Sequence, residues 1–179
     1  VRASEQKRKE RKGPMAFSEN TAQKILTSAY ELLSTKGLAQ VSMRDIAKRA
    51  GVALSQITYY FKTKENLIAS VVANQFHRLM DKVAPLLEGC HSQEEAEQVA
   101  AEYFYQDQNM LRLLIDFTAQ ALWVPAFREQ VEKWQQKATE ILTRIPRFSE
   151  KAEQTARKVL AGFFGNAVLA VFPPESTPG

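Results

Sequence analysis

VSMRDIAKRAGVALSQITYYFKTKENL, residues 41–67, decides the fold of this 179-residue chain. Ser42 caps a helix that begins at Met43. Asp45, three residues on, completes an acidic form of the capping box and suits the positive end of the helix. Ile46, Ala47 and Ala50 form the inner face, and the small Ala47 lets a second helix cross closely. Gly51 follows the last helical residue, where a left-handed backbone is easiest without a side chain. Val52 is apolar and plugs the corner. A second helix covers about 54–61, with Ile57 and Phe61 aimed at the core. A third opens at Lys64 behind a Thr63 cap. Helix, tight turn, helix is the layout of a DNA-reading helix-turn-helix.

The second helix leaves Leu54, Ser55, Gln56, Thr58, Tyr59 and Tyr60 wholly or partly outward. That face has donors, acceptors and flat apolar area, but no charge. Gln bonds adenine edges, Ser and Thr suit several bases, and apolar groups touch the thymine methyl. The cations sit around it: Arg44, Lys48 and Arg49 before, Lys62 and Lys64 after, with Asp45 the one acid between Ser42 and Lys64. Phosphate contacts that position and base contacts that specify divide in this way. Lys64 also lies at a helix start, whose amides favour an anion.

The block resembles the N-terminal domain of the tetracycline-repressor (TetR) family of bacterial transcription regulators. The resemblance is carried by Ile25-Leu26, Ala29 and Leu32-Leu33, by Gly37, by Ser42-Met43-Arg44-Asp45-Ile46-Ala47 and Ala50-Gly51-Val52, and by Ile57-Thr58-Tyr59-Tyr60-Phe61 with Lys64-Glu65-Asn66-Leu67. It implies that the 54–61 helix lies in the major groove, and that Ser42, Arg44, Ser55, Gln56, Thr58, Tyr59, Tyr60 and Lys64 meet bases or phosphates. Many members carry an aromatic where Thr58 stands and His where Tyr60 stands, so the family's base preference does not transfer. Beyond residue 70 the likeness is one of length and helical pattern only.

Composition agrees with a helical regulator. Apolar residues make up 45% and charged residues 25% of the chain, enough for a soluble core. Gly and Pro are few, and β-branched alternation is scarce, so the expected fold class is all-α: a three-helix helix-turn-helix domain followed by a helical ligand-binding and dimerisation domain. The net charge of +4 divides into +4 over residues 1–14, +3 over 15–88 and −3 over 89–179. A basic front and a mildly acidic back favour one nucleic-acid end. The single cysteine, Cys90, excludes an internal disulfide. No apolar run reaches membrane-spanning length and no signal peptide is visible, so no membrane partner and a cytoplasmic location are expected.

Three regions are expected. Residues 1–17 are a flexible basic tail with almost no apolar content. Residues 18–63 are the DNA-binding domain, whose first helix is capped by Ser18, ends at Gly37 and buries a face with Ile25, Ala29 and Leu33. Residues 64–179 form the second domain. Its long first helix ends near Pro85 and Gly89. A helix opens at Ser92, another covers about 109–124, and Pro125 starts the next. The last runs over about 149–172. Its segment AGFFGNAVLAVF, residues 161–172, is apolar nearly all round, more than a terminal helix buries against its own core. A homodimer is therefore predicted, with Trp134, Ile141, Gly162, Phe163, Phe164, Ala167, Val168 and Val171 at the interface. The resemblance implies the same arrangement. A dimer suits a palindromic operator in double-stranded DNA.

The family resemblance also implies an apolar cavity for a small-molecule effector. Phe76, Met80, Tyr103, Phe104, Met110, Leu114, Phe117, Ala121 and Trp123 are its candidate lining, and simple core filling is the alternative. Asp107, Asn109 and Asp116 lie nearby as polar contacts. His77, Cys90 and His91 lack zinc-site spacing, and no P-loop, dinucleotide fingerprint or nucleophile elbow occurs. No metal, cofactor or enzymatic activity is expected. The reading is a ligand-responsive repressor. The alternative is a DNA-binding protein without a small-molecule pocket, regulated by a protein partner.

Overall fold

The computed structural model describes residues 14–105 and 107–171. Among them the chain forms helices only: α1 (Pro14–Lys36), α2 (Met43–Ala50), α3 (Leu54–Phe61), α4 (Lys64–Leu87), α5 (Gln93–Tyr105), α6 (Gln108–Gln120), α7 (Pro125–Thr143), α8 (Pro146–Ser149) and α9 (Ala152–Val171). The all-α class follows directly.

The first helix starts at Pro14, four residues before the expected Ser18 cap, so residues 14–17 belong to it and not to a tail. Proline suits a first turn, where its missing N–H would be unpaired anyway. Residues 1–13 lie outside the described residues. Ile25, Ala29 and Leu33 recur every four residues on α1 and are all buried. Gly37, at φ +84°, ends the helix.

The α2 capping box forms as read. The Ser42 hydroxyl accepts from the Asp45 N–H at 3.2 Å, and the Asp45 carboxylate accepts from the Ser42 N–H at 2.9 Å. Gly51 closes α2 at φ +65°. Two boundaries differ from expectation, both for one reason. A residue before proline is pushed out of the helical region. Val124 before Pro125 is extended, so α6 stops at Gln120 and 121–124 turn. Ile145 before Pro146 is extended too, which inserts the short α8 and delays α9 to Ala152.

A single apolar core crosses the expected domain boundary at 63/64. It runs from Ile25 and Leu33 of α1 through Ile57, Leu67 and Val71 to Phe117 of α6 and Phe127 and Trp134 of α7. Phe117 sits at its centre, 4.4 Å from the Phe127 ring and 5.5 Å from Trp134. A second cluster joins the far end of α4 to α5, α8 and α9, through Val83, Leu87, Ala96, Phe148 and Ala156. The head is thus built onto the body, with α4 running through both.

Candidate nucleic-acid interface and interior cavities

The predicted reading face is presented as a surface. Ile57 is fully buried and pins α3, while Ser55, Gln56 and Thr58 are exposed, Leu54 is 38% exposed and Tyr59 71%. Tyr60 is half-buried and meets the Tyr59 ring edge-on at 5.2 Å. Ser42 and Arg44 lie exposed on the neighbouring α2 start, and Lys48 beside them is exposed as well. Lys62 places its Nζ 5.5 Å from the Tyr59 ring centre, a cation–π contact.

Three of these side chains are less available than the sequence suggested. The Gln56 Oε1 accepts from the Ala53 N–H at 3.1 Å and caps α3, so only its amide N–H groups point onward. A two-point contact with adenine needs both. Lys64 donates to the Leu38 carbonyl at 2.7 Å and is half-buried, so it holds the α1–α2 loop as well as facing outward. Arg49 pairs with Glu31 of α1 at 2.6 Å. The Ser42 hydroxyl and backbone N–H hold the Asp45 carboxyl below the usual aspartate range. This keeps the cap charged beside the cations.

Residues 25–71 match the bacterial regulatory proteins of the tetR family. The helix-turn-helix segment is thus that of the TetR family. It is 37% identical over 67 residues to the uncharacterised HTH-type transcriptional regulator YvdT of Bacillus subtilis. That match takes in 37% of this chain and 34% of YvdT, so the chain spans about a third of the length of that relative. The TetR transcription regulator of Haloarcula marismortui shares the fold over 86% of this chain and 87% of its own, at 19% identity and a TM-score of 0.68. The multidrug binding protein EbrR, solved with imidazole, is 25% identical over 93% of this chain and 84% of its own, with a TM-score of 0.68. An N-terminal helix-turn-helix with a helical C-terminal domain is the TetR fold.

The TetR head is tied to the body by carboxylates of and beside α6. The Tyr30 hydroxyl of α1 donates to Asp107 at 2.7 Å. Burial and that carboxylate push the Tyr30 phenol well above its ordinary value. Asp107 also caps α6, accepting from Asn109 and Met110 N–H at 3.0 Å each. Asp116 accepts from the Leu38 N–H at 2.9 Å and from the Gln120 amide at 2.8 Å. Both acids, considered as ligand contacts on sequence, are thus spent on structure.

The nine predicted effector residues do not share one cavity. Phe76 and Met80 line an enclosed space of about 30 Å³ between α4, α5, α7 and α9. Tyr103 and Met110 line a different, open cleft. Leu114, Phe117 and Ala121 are sealed in the core, filled on all sides by Phe127 and Trp134 among others, and line neither space. Trp123 is 76% exposed in the α6–α7 turn, because the helix expected to carry it ends three residues earlier. The Phe104 side chain lies outside the described residues. The enclosed space exists because Ala100, Ala138 and Ala156 face it from three helices. Three alanines on separate helices give no periodic signal in sequence.

The predicted interface residues divide as well. Trp134 is 3% exposed and stacks on Phe76 at 5.1 Å, so it belongs to the protomer's own core. Ile141 turns into the enclosed space. Phe164 packs on the core, and Gly162 is half-buried. Val168 is 44% exposed, on one stripe with exposed Ala161 and Gly165. The side chains of Phe163, Ala167 and Val171 lie outside the described residues. Among the described residues, no three His, Cys, Asp or Glu side chains gather as metal ligands, and no single helix is long and apolar enough to cross a membrane.

Proposed function

We propose that this protein is a ligand-responsive transcriptional regulator that represses by binding a palindromic operator as a homodimer. One observation carries it: α3 presents an uncharged face of Ser, Gln, Thr and Tyr, ringed by Arg44, Lys48, Lys62 and Lys64, within a TetR-type head. Those cations supply salt-dependent affinity for phosphate, and Tyr59 and Thr58 supply base contact. Two heads on one dimer engage successive major grooves.

The effector is a small uncharged apolar molecule held in the enclosed space, whose walls are wholly apolar side chains. EbrR, a multidrug binding protein, supports a small-molecule site in this architecture. The space of about 30 Å³ has room for little more than water, which needs some 10–15 Å³. An organic effector therefore binds a wider conformation than this one. That is the unequal affinity a population shift requires. Phe76, Met80, Val83 and Leu87 of α4 wall the space, and α4 runs into the head, so the head moves with the widening.

The same tightness favours a second reading, in which the body stays closed and a protein partner regulates the head. Selection of bound sequences from a random DNA pool at moderate salt tests the shared part. A palindromic motif with half-sites about one turn apart is expected, and no enriched motif overturns the operator. Thermal stabilisation by uncharged apolar compounds then separates the readings. A rise in melting temperature supports the effector site, and none across a broad panel supports the protein partner.

A further inference from the structure

A second cavity, of about 160 Å³, opens where α4, α5 and α6 meet. Its floor is apolar, made by Leu79 of α4, the Tyr103 ring of α5 and Met110 of α6. Its α4 wall carries Gln75, Arg78 and Lys82, whose spacings of three and four place them on one helix face. Arg78 and Lys82 are exposed, and neither forms an ion pair among the described residues. Asp107, the one acid among the described lining residues, accepts from the Tyr30 hydroxyl and two N–H groups of the α6 N-terminus. The cleft therefore offers two cations against one hydrogen-bonded carboxylate, a net positive charge over an apolar floor.

We infer that this cleft binds a small organic carboxylate, either an aromatic acid or a short branched aliphatic one. The volume matches the roughly 150 Å³ known to admit a benzene ring. The ring body lies on Leu79, Tyr103 and Met110. The carboxylate lies between Arg78, whose planar fork takes two oxygens at once, and Lys82. An inorganic anion leaves the apolar floor unused. The enclosed apolar space cannot take this ligand, because a buried charge there meets no partner. The two cavities thus divide ligands by charge. Asp107 in the cleft wall bonds Tyr30 of α1, so an occupant touches the junction between body and head.

Isothermal titration of the full chain with benzoate, benzyl alcohol and inorganic phosphate tests the site without DNA. Its failure is therefore distinct from failure of the operator reading. Benzoate is expected to bind once per chain, with benzyl alcohol and phosphate at least tenfold weaker. The double variant Arg78→Gln/Lys82→Gln changes two exposed side chains and is expected to keep the helical circular dichroism. Its benzoate affinity is expected to fall at least tenfold. Ala138→Leu fills the other space and is expected to leave benzoate binding unchanged. The inference is overturned if benzoate does not bind, if benzyl alcohol or phosphate binds as tightly, if the double variant retains its affinity, or if Ala138→Leu abolishes it.

Discussion

Lys62 shows how much a single residue of the head carries. It has φ +67°, a region that non-glycine residues rarely adopt, and it ends α3 by donating its N–H to Thr58. Such a conformation costs on the order of 1–3 kcal/mol. Lys62→Gly is therefore expected to raise stability by about 1 kcal/mol in chemical denaturation. It also removes a cation at the DNA face, so affinity falls for all sequences alike, and the salt dependence drops by about one phosphate contact. A variant no more stable than the parent would show that the turn is unstrained. Tyr59 acts differently. At 71% exposure it supports little of the fold. Tyr59→Ala is expected to cost specific binding about 1–3 kcal/mol with the melting temperature unchanged. Equal loss on random DNA would move Tyr59 from base reading to backbone contact. Asp45 sets the acid limit of the α2 cap. Its carboxyl is held below the ordinary value of about 3.9, so its contribution is present above that pH and lost as pH falls through the folded value. Asp45→Asn is expected to melt lower than the parent at pH 6, with the gap closing as pH falls below the ordinary aspartate range. The positions of these residues were legible in the sequence, because the capping box and the Gly51 turn are local. Their bonding was not. That Gln56 spends its oxygen on Ala53, and Lys64 a donor on Leu38, depends on rotamers and on a loop 26 residues away.

Among the elements, α6 departs most from its sequence reading. Periodicity placed Leu114, Phe117 and Ala121 inward and was right to do so. It could not say whether the facing helices leave a gap or fill it. Phe127 and Trp134 of α7 fill it. The gap opens instead around three alanines of α5, α7 and α9, where small residues face one another by tertiary accident. Proline explains the other difference. Pro125 unwinds 121–124 and turns Trp123 out, although the apolar run continued through it. Phe117 gives the test at this scale. It is fully buried between two aromatic rings, and the core around it joins head to body. Phe117→Ala is expected to cost about 3–5 kcal/mol in reversible denaturation. A loss below 1 kcal/mol would mean that α6 carries a pocket there after all.

At the scale of the whole molecule, the proposed dimer turns on the last helix. Its apolar run asked for a partner, and the fold supplies part of one. Phe164 turns onto the protomer's own core, so a charge there would unfold the chain and prove nothing about assembly. The outer stripe is Ala161, Gly165 and Val168. A side chain added at Gly165 would meet nothing within 4 Å, and Val168 is 44% exposed. Small residues on an exposed stripe let two helix backbones approach closely. The neighbouring outer face of α7 is polar, with Glu132, Gln135, Gln136 and Thr139 along it. An interface here thus has an apolar α9 seam and a polar α7 border, as a core and rim would. Val168→Glu places a like charge from each copy on that seam without disturbing the protomer. Sedimentation is expected to show the parent as a dimer and the variant as a monomer with unchanged helical content. Operator affinity should then fall steeply, since one head alone makes half the contacts, while affinity for a single half-site should stay as it was. A variant that still sediments as a dimer would remove the α9 stripe from the interface.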